Sequence, residues 1–129
     1  MSQPQQPPSS NPFDDNILYL ENQDMDDQGN FVFETDMPIM VLCQGSYCGW
    51  CRKMKPAYVE AALALRGKVL FTTIHADSEN AGERELAMRM SKNHEIPGYP
   101  AVFLVKNGRV VKKYEGNRTT QNLIEFASQ

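Results

Sequence analysis

Two cysteines separated by two residues, set where a strand pattern gives way to a helical one, constrain this chain more than any other feature. Ile39-Met40-Val41-Leu42-Cys43 is a continuous apolar run that breaks at Gln44-Gly45-Ser46. Tyr47-Cys48-Gly49-Trp50-Cys51 follows, and beyond it Met54, Tyr58, Ala61 and Leu65 recur at helical spacing, which turns one helix face toward a core. A thiol at the start of a helix sits against unpaired backbone N–H groups and the positive end of the helix dipole, and both stabilise an anion. The thiolate is the nucleophile of disulfide exchange, and a second thiol one turn on can displace whatever the first has captured. Cys48 and Cys51 therefore read as a redox centre.

A chain of 129 residues is about one domain and is long enough to bury a core without staples. A formal charge of −3 with no basic stripe argues against a nucleic-acid partner, and no apolar run approaches membrane-spanning length. Met1 to Pro8 shows neither the basic nor the apolar region of an export signal. With 3 cysteines, an odd number, the expected surroundings are reducing. A cytoplasmic place is expected on these grounds, and a place in a virion stays open.

Residues 1–12 are mostly Gln, Pro, Ser and Asn and are expected to form a disordered tail ahead of a domain over 13–129. Ile17 to Leu20 reads as a short strand. Asn22 to Asn30 is acidic and turn-rich but lacks calcium-loop spacing, so a solvated loop is expected. Phe31-Val32-Phe33 stays open between a strand and a helical turn. The cysteine helix should run to about Leu65 with Gly67 as its stop, and Val69 to Ile74 should be a second core strand. Asp77 or Ser78 is expected to cap a helix over about 80–92. Lys106-Asn107-Gly108 is the strongest hairpin signal, joining strands at 101–105 and 109–114, and Thr119 should cap a terminal helix. This order gives an α/β domain, a βαβ unit followed by a ββα unit.

At this point the chain resembles the thioredoxin family, over about residues 17–129. Cys48-Gly49-Trp50-Cys51-Arg52-Lys53-Met54 resembles the family's Cys-Gly-x-Cys-Lys, with Tyr47 where the family has an aromatic residue. Pro100 after Tyr99 falls at the family's cis-proline, and Lys106-Asn107-Gly108 and Gly116 follow at the family's spacing. The resemblance implies a thioredoxin fold, a central mixed sheet flanked by helices, acting as a monomeric thiol–disulfide oxidoreductase without a cofactor. It implies Cys48 and Cys51 as catalytic residues and Tyr47, Tyr99 and Pro100 as substrate-binding residues; Trp50, an aromatic next to the nucleophile, reads either as a further contact surface for protein substrates or as simple steric filling. It also implies protein disulfides as substrates, with a separate reductase or glutathione as electron donor. An oxidase or isomerase of the same fold, and an interaction module without turnover, are the alternatives. The chain departs from the family where a buried acid stands six residues before the first cysteine, here Leu42, and at its lysine partner, here Thr73. Water, or a carboxylate such as Asp77 acting through it, would then take the proton of Cys51.

The bland reading of Cys48 and Cys51 is half of a zinc site. Structural zinc wants four ligands, leaving Cys43, His75 and His94 as candidates, and strand alternation does not aim Cys43 at the helix start. Cys43 reads as a buried small hydrophobe. His75 and His94 read as structural or solvated, and Trp50, between two helix-start cysteines, should be exposed.

Overall fold

The apolar run at 39 becomes the middle strand of a five-stranded sheet. In the computed structural model, which describes residues 17–129, the strands are β1 (Leu18–Tyr19), β2 (Ile39–Gln44), β3 (Leu70–His75), β4 (Ala101–Lys106) and β5 (Arg109–Lys113). The helices are α1 (Gly49–Ala64), α2 (Ala81–Asn93) and α3 (Thr120–Ala127). The strand order is β1-β3-β2-β4-β5. β3 runs parallel to both β1 and β2, whereas β4 runs antiparallel to β2 and β5. This is the mixed sheet flanked by helices that the resemblance implies. The reading of residues 1–12 lies outside the described residues.

β2 is buried along its whole length because both faces of the sheet are covered. Alternation divides its side chains. Met40 and Leu42 join Met54 and Tyr58 of α1 and Leu123 and Phe126 of α3 in one core. Val41 and Cys43 join Leu86 and Met90 of α2, with Met25 and Phe31, in the core on the other face. Tyr58 ties α1 to the sheet, its hydroxyl donating to the Thr72 carbonyl at 2.7 Å.

Several local expectations are met. Thr119 caps α3 by accepting from the Asn122 amide. Asn107 and Gly108 both have positive φ, 54° and 81°, as the tight turn between β4 and β5 requires. A Cβ on Gly108 would stand 2.6 Å from the Phe31 carbonyl oxygen, so no larger residue fits there without movement. Two expectations need correction. The cap of α2 is Asn80, whose side chain accepts from the Glu83 amide at 2.9 Å, and not Asp77 or Ser78. The acidic loop is no freely solvated loop. Asn22–Asp24 forms a 3-10 turn, Met25 and Phe31 are buried and bridged, and Arg89 of α2 donates to the carbonyls of Asn22, Met25 and Asp26. Phe31-Val32-Phe33 contributes that single bridge rather than a strand or a helical turn.

Candidate active site

The strand-to-helix turn brings Cys48 and Cys51 to the C-terminal end of β2. Cys48 is the N-cap of α1, with extended backbone, and the Cys51 amide donates to its Sγ at 3.1 Å. An amide that would otherwise be an orphan of the first helical turn thus points at the sulfur, where it would stabilise negative charge. The two cysteines are disulfide-bonded, with Cα atoms 5.2 Å apart. Their exposure differs: Cys48 is partly exposed, whereas Cys51 is fully buried. An incoming disulfide can reach the first sulfur and not the second.

The turn before Cys48 is clamped from both sides. The Ser46 amide donates to Asp77 at 3.1 Å, and the Ser46 hydroxyl donates to the same carboxylate. Arg52, one residue past Cys51, donates to the Ser46 carbonyl at 2.9 Å. Burial pushes the Asp77 carboxyl up, but the bonds from Ser46 outweigh it and hold its pKa below the ordinary value. A carboxylate so occupied is a poorer proton acceptor than the sequence suggests for Asp77, and a better positioning group. Nothing local signals this contact, because Ser46 and Asp77 lie 31 residues apart.

Leu42 and Thr73 face each other in the β2–β3 register, and Leu42 is fully buried. Polarity at this end of the sheet comes instead from Gln44. Its buried amide donates to the Thr73 hydroxyl at 2.7 Å, and that hydroxyl donates to the Leu42 carbonyl at 2.9 Å.

The aromatic residues gather round the turn. Tyr47 is 76% and Trp50 62% exposed, values that put both rings at the surface beside Cys48. A Cβ on Gly45 would lie 3.7 Å from the Tyr47 ring and 4.0 Å from Tyr99 Cδ2, so both rings border that glycine. The Tyr99–Pro100 peptide bond is cis. The pairing of Cys43 with Ala101 sets Pro100 at the same end of the sheet as the cysteines.

The remaining zinc candidates lie apart. Cys43 faces the α2 side of the sheet, and His94 packs its ring at a tilt against Phe103, its pKa lowered by burial. The His75 amide donates to the buried Glu83 carboxylate at 2.6 Å. Among the described residues no group of three or more His, Cys, Asp or Glu is placed to hold a metal ion.

Burial pushes the Cys43 thiol from 9.0 up to about 12. In the unfolded chain the thiol ionises near its ordinary value, so between about pH 9 and 12 the unfolded state binds fewer protons and stability falls as pH rises. At pH 10 the loss from this group should be about 1.4 kcal/mol, one unit's worth. The oxidised protein should lose that much more between pH 8 and 10 in urea titrations than Cys43→Ala does. Equal losses would show that Cys43 is not protected.

Comparison with known proteins then decides the family. The thioredoxin family model matches residues 20–129. The chain belongs to the thioredoxin family. It is 30% identical to a thioredoxin-like protein of Invertebrate iridescent virus 6, with 88% of this chain and 94% of that protein aligned. It is 35% identical to the protein disulfide-isomerase of Saccharomyces cerevisiae over 62% of this chain, but spans only 14% of that longer protein. The crystal structure of the J-Trx1 fragment of ERdj5 shares the fold, with a TM-score of 0.67 at 21% identity over 88% of this chain and 50% of that one. Membership and the paired cysteines make this thioredoxin-family chain a thiol–disulfide oxidoreductase. No helix among the described residues is long and apolar enough to cross a membrane.

Proposed function

We propose that the protein reduces disulfides in other proteins through a Cys48/Cys51 cycle. The observation that carries this reading is the asymmetry of the pair, a partly exposed Cys48 at the helix cap above a buried Cys51. The Cys48 thiolate attacks one sulfur of the substrate disulfide and the other sulfur leaves as a thiolate, which takes up a proton. Cys51, on losing its proton, attacks Cys48 and expels the second substrate sulfur. The substrate gains two electrons and the protein keeps the Cys48–Cys51 disulfide, which a separate donor, a reductase or glutathione, reduces again.

Tyr47, Trp50, Tyr99 and Pro100 are the substrate-binding residues in this reading. Exposed rings beside a nucleophile suit a polypeptide more than a small thiol. Support for the reducing direction comes from Cys43, a free thiol, since free cysteines fit reducing surroundings. A monomer suffices, because one chain supplies both cysteines and the four contact residues.

Insulin reduction driven by dithiothreitol tests turnover, and equilibration with a glutathione buffer tests direction. The reading expects rapid insulin precipitation and a reduction potential below about −230 mV, on the thioredoxin side of the known range. A potential near −180 mV would move the protein to the isomerase reading, and no turnover would leave an interaction module.

A further inference from the structure

The first turns of α1 carry charge of the sign that a helix start disfavours. Arg52, Lys53 and Lys55 follow the buried cysteine, and no Asp or Glu occurs between Asp36 and Glu60. The helix dipole is positive at this end, so cations here cost stability that acids would have contributed. α2 of the same chain obeys the rule, with Glu83 in its first turn and Lys92 in its last. α1 has no acid in its first turn and no base in its last. The whole molecule is formally −3, so this is a local reversal and not a reflection of composition. A local rule broken beside a reactive group points to function where no anion offsets it.

For Arg52 and Lys53 no anion supplies that compensation among the described residues. Arg52 and Lys53 are exposed, and among the described residues neither has a carboxylate within 4 Å. Arg52 instead donates to the Ser46 carbonyl, which keeps its guanidinium at the turn before Cys48. Lys53 sets its ammonium 4.7 Å from the centre of the Trp50 ring, on the exposed aromatic beside the nucleophile. The nearby acid, Asp77, is engaged by the amide and hydroxyl of Ser46. Among the described residues, two cations anchored to the residues that frame Cys48 therefore stand without an anion.

We propose that Arg52 and Lys53 select substrates, so that the protein reacts preferentially with polypeptide disulfides flanked by Asp or Glu. The substrate carboxylates supply the missing anions, while Tyr47 and Trp50 take the neighbouring apolar side chains. This deepens the oxidoreductase reading and rests on it. Field focusing of this kind raises association rates by about ten- to a thousandfold and fades with salt.

The test uses three disulfide-bonded peptides of one length, with glutamate, glutamine or lysine on both sides of the bridge. The exchange rate is measured with the reduced full chain in about 10 mM and about 1 M salt. At low salt the glutamate peptide should react about tenfold faster than the glutamine peptide, and the lysine peptide slower still. High salt should bring the three together. Arg52→Gln/Lys53→Gln should lose the ranking, and Arg52→Glu/Lys53→Glu should invert it. Exchange with neutral 2-hydroxyethyl disulfide, which reports the reactivity of Cys48 itself, corrects each variant for any disturbance of the turn. Equal rates for the three peptides in the wild type would overturn the charge selection and leave the oxidoreductase reading standing. A higher rate with glutathione disulfide than with the glutamate peptide would overturn the polypeptide part. No exchange even with 2-hydroxyethyl disulfide would overturn both.

Discussion

Cys48→Ser should lose insulin reduction by at least about a thousandfold, while Cys51→Ser should fail differently, by stopping halfway. The serine hydroxyl is not ionised near neutral pH, and the amide that points at Sγ cannot acidify it far enough to matter. Cys51→Ser keeps the accessible sulfur and its cap, so the first attack proceeds and the mixed disulfide has nothing to resolve it. It should therefore accumulate as a covalent adduct of protein and substrate, seen on a non-reducing gel and released by dithiothreitol. Mild alkylation of the reduced wild type should label Cys48 well before Cys51 and Cys43, because both of those are buried. An adduct formed by Cys48→Ser instead would reverse the two roles.

The second large effect is on stability. Leu42→Asp should cost about 4 kcal/mol near neutral pH. Roughly 2 kcal/mol is lost apolar burial, and the rest is a carboxyl desolvated without a full set of partners. Leu42 is fully buried among Met40, Met54 and Tyr58. The Tyr58 hydroxyl already donates to the Thr72 carbonyl, and the hydroxyl of Thr73, the partner of Leu42 in the strand register, already serves the Leu42 carbonyl and the Gln44 amide. Against a typical total of about 5–15 kcal/mol, such a variant stands near the edge of folding. Its pH dependence has a definite sign. Burial raises the pKa of the new carboxyl above the unfolded value of about 3.9, so the cost of charging it is absent below that pH and grows as pH rises toward the folded pKa. Urea midpoints of wild type and variant should converge on acidification, and the pH–rate curve of the variant should gain an ionisation. A deficit that stays constant from pH 4 to 7 would mean the carboxyl finds solvent or a partner.

What was legible from the residues was local. The cysteine turn, the Asn107-Gly108 hairpin and the Thr119 cap each depend on side chains within four positions of one another, and each stands where its spacing puts it. Asn80 was missed as the cap of α2 because Asp77 and Ser78 are equally good capping types. What decides between them is that Asp77 is drawn away to Ser46, a contact set by the packing of β2 beside β3. The acidic loop misled for a similar reason. Its composition speaks for solvent, but Arg89 reaches it from α2, more than 60 residues on, and satisfies its carbonyls. The polar pair Gln44–Thr73 left no pattern either, since it crosses from one strand to the next within the register.

The sheet also settles how many electrons the molecule handles. Cys43 and the Cys48–Cys51 pair lie only a few residues apart along the chain, yet strand alternation sends Cys43 into the core beneath α2 while the pair opens α1 on the far side. A buried thiol held on its hydrogen cannot invade the neighbouring bridge, so the three sulfurs do not shuffle. Each molecule is then a carrier of one electron pair, passing between loaded and empty only through the mixed disulfide with its substrate, with no third sulfur to divert the charge. A sheet of backbone serves here as the insulator between two sulfur circuits, and only one of them is connected to the outside.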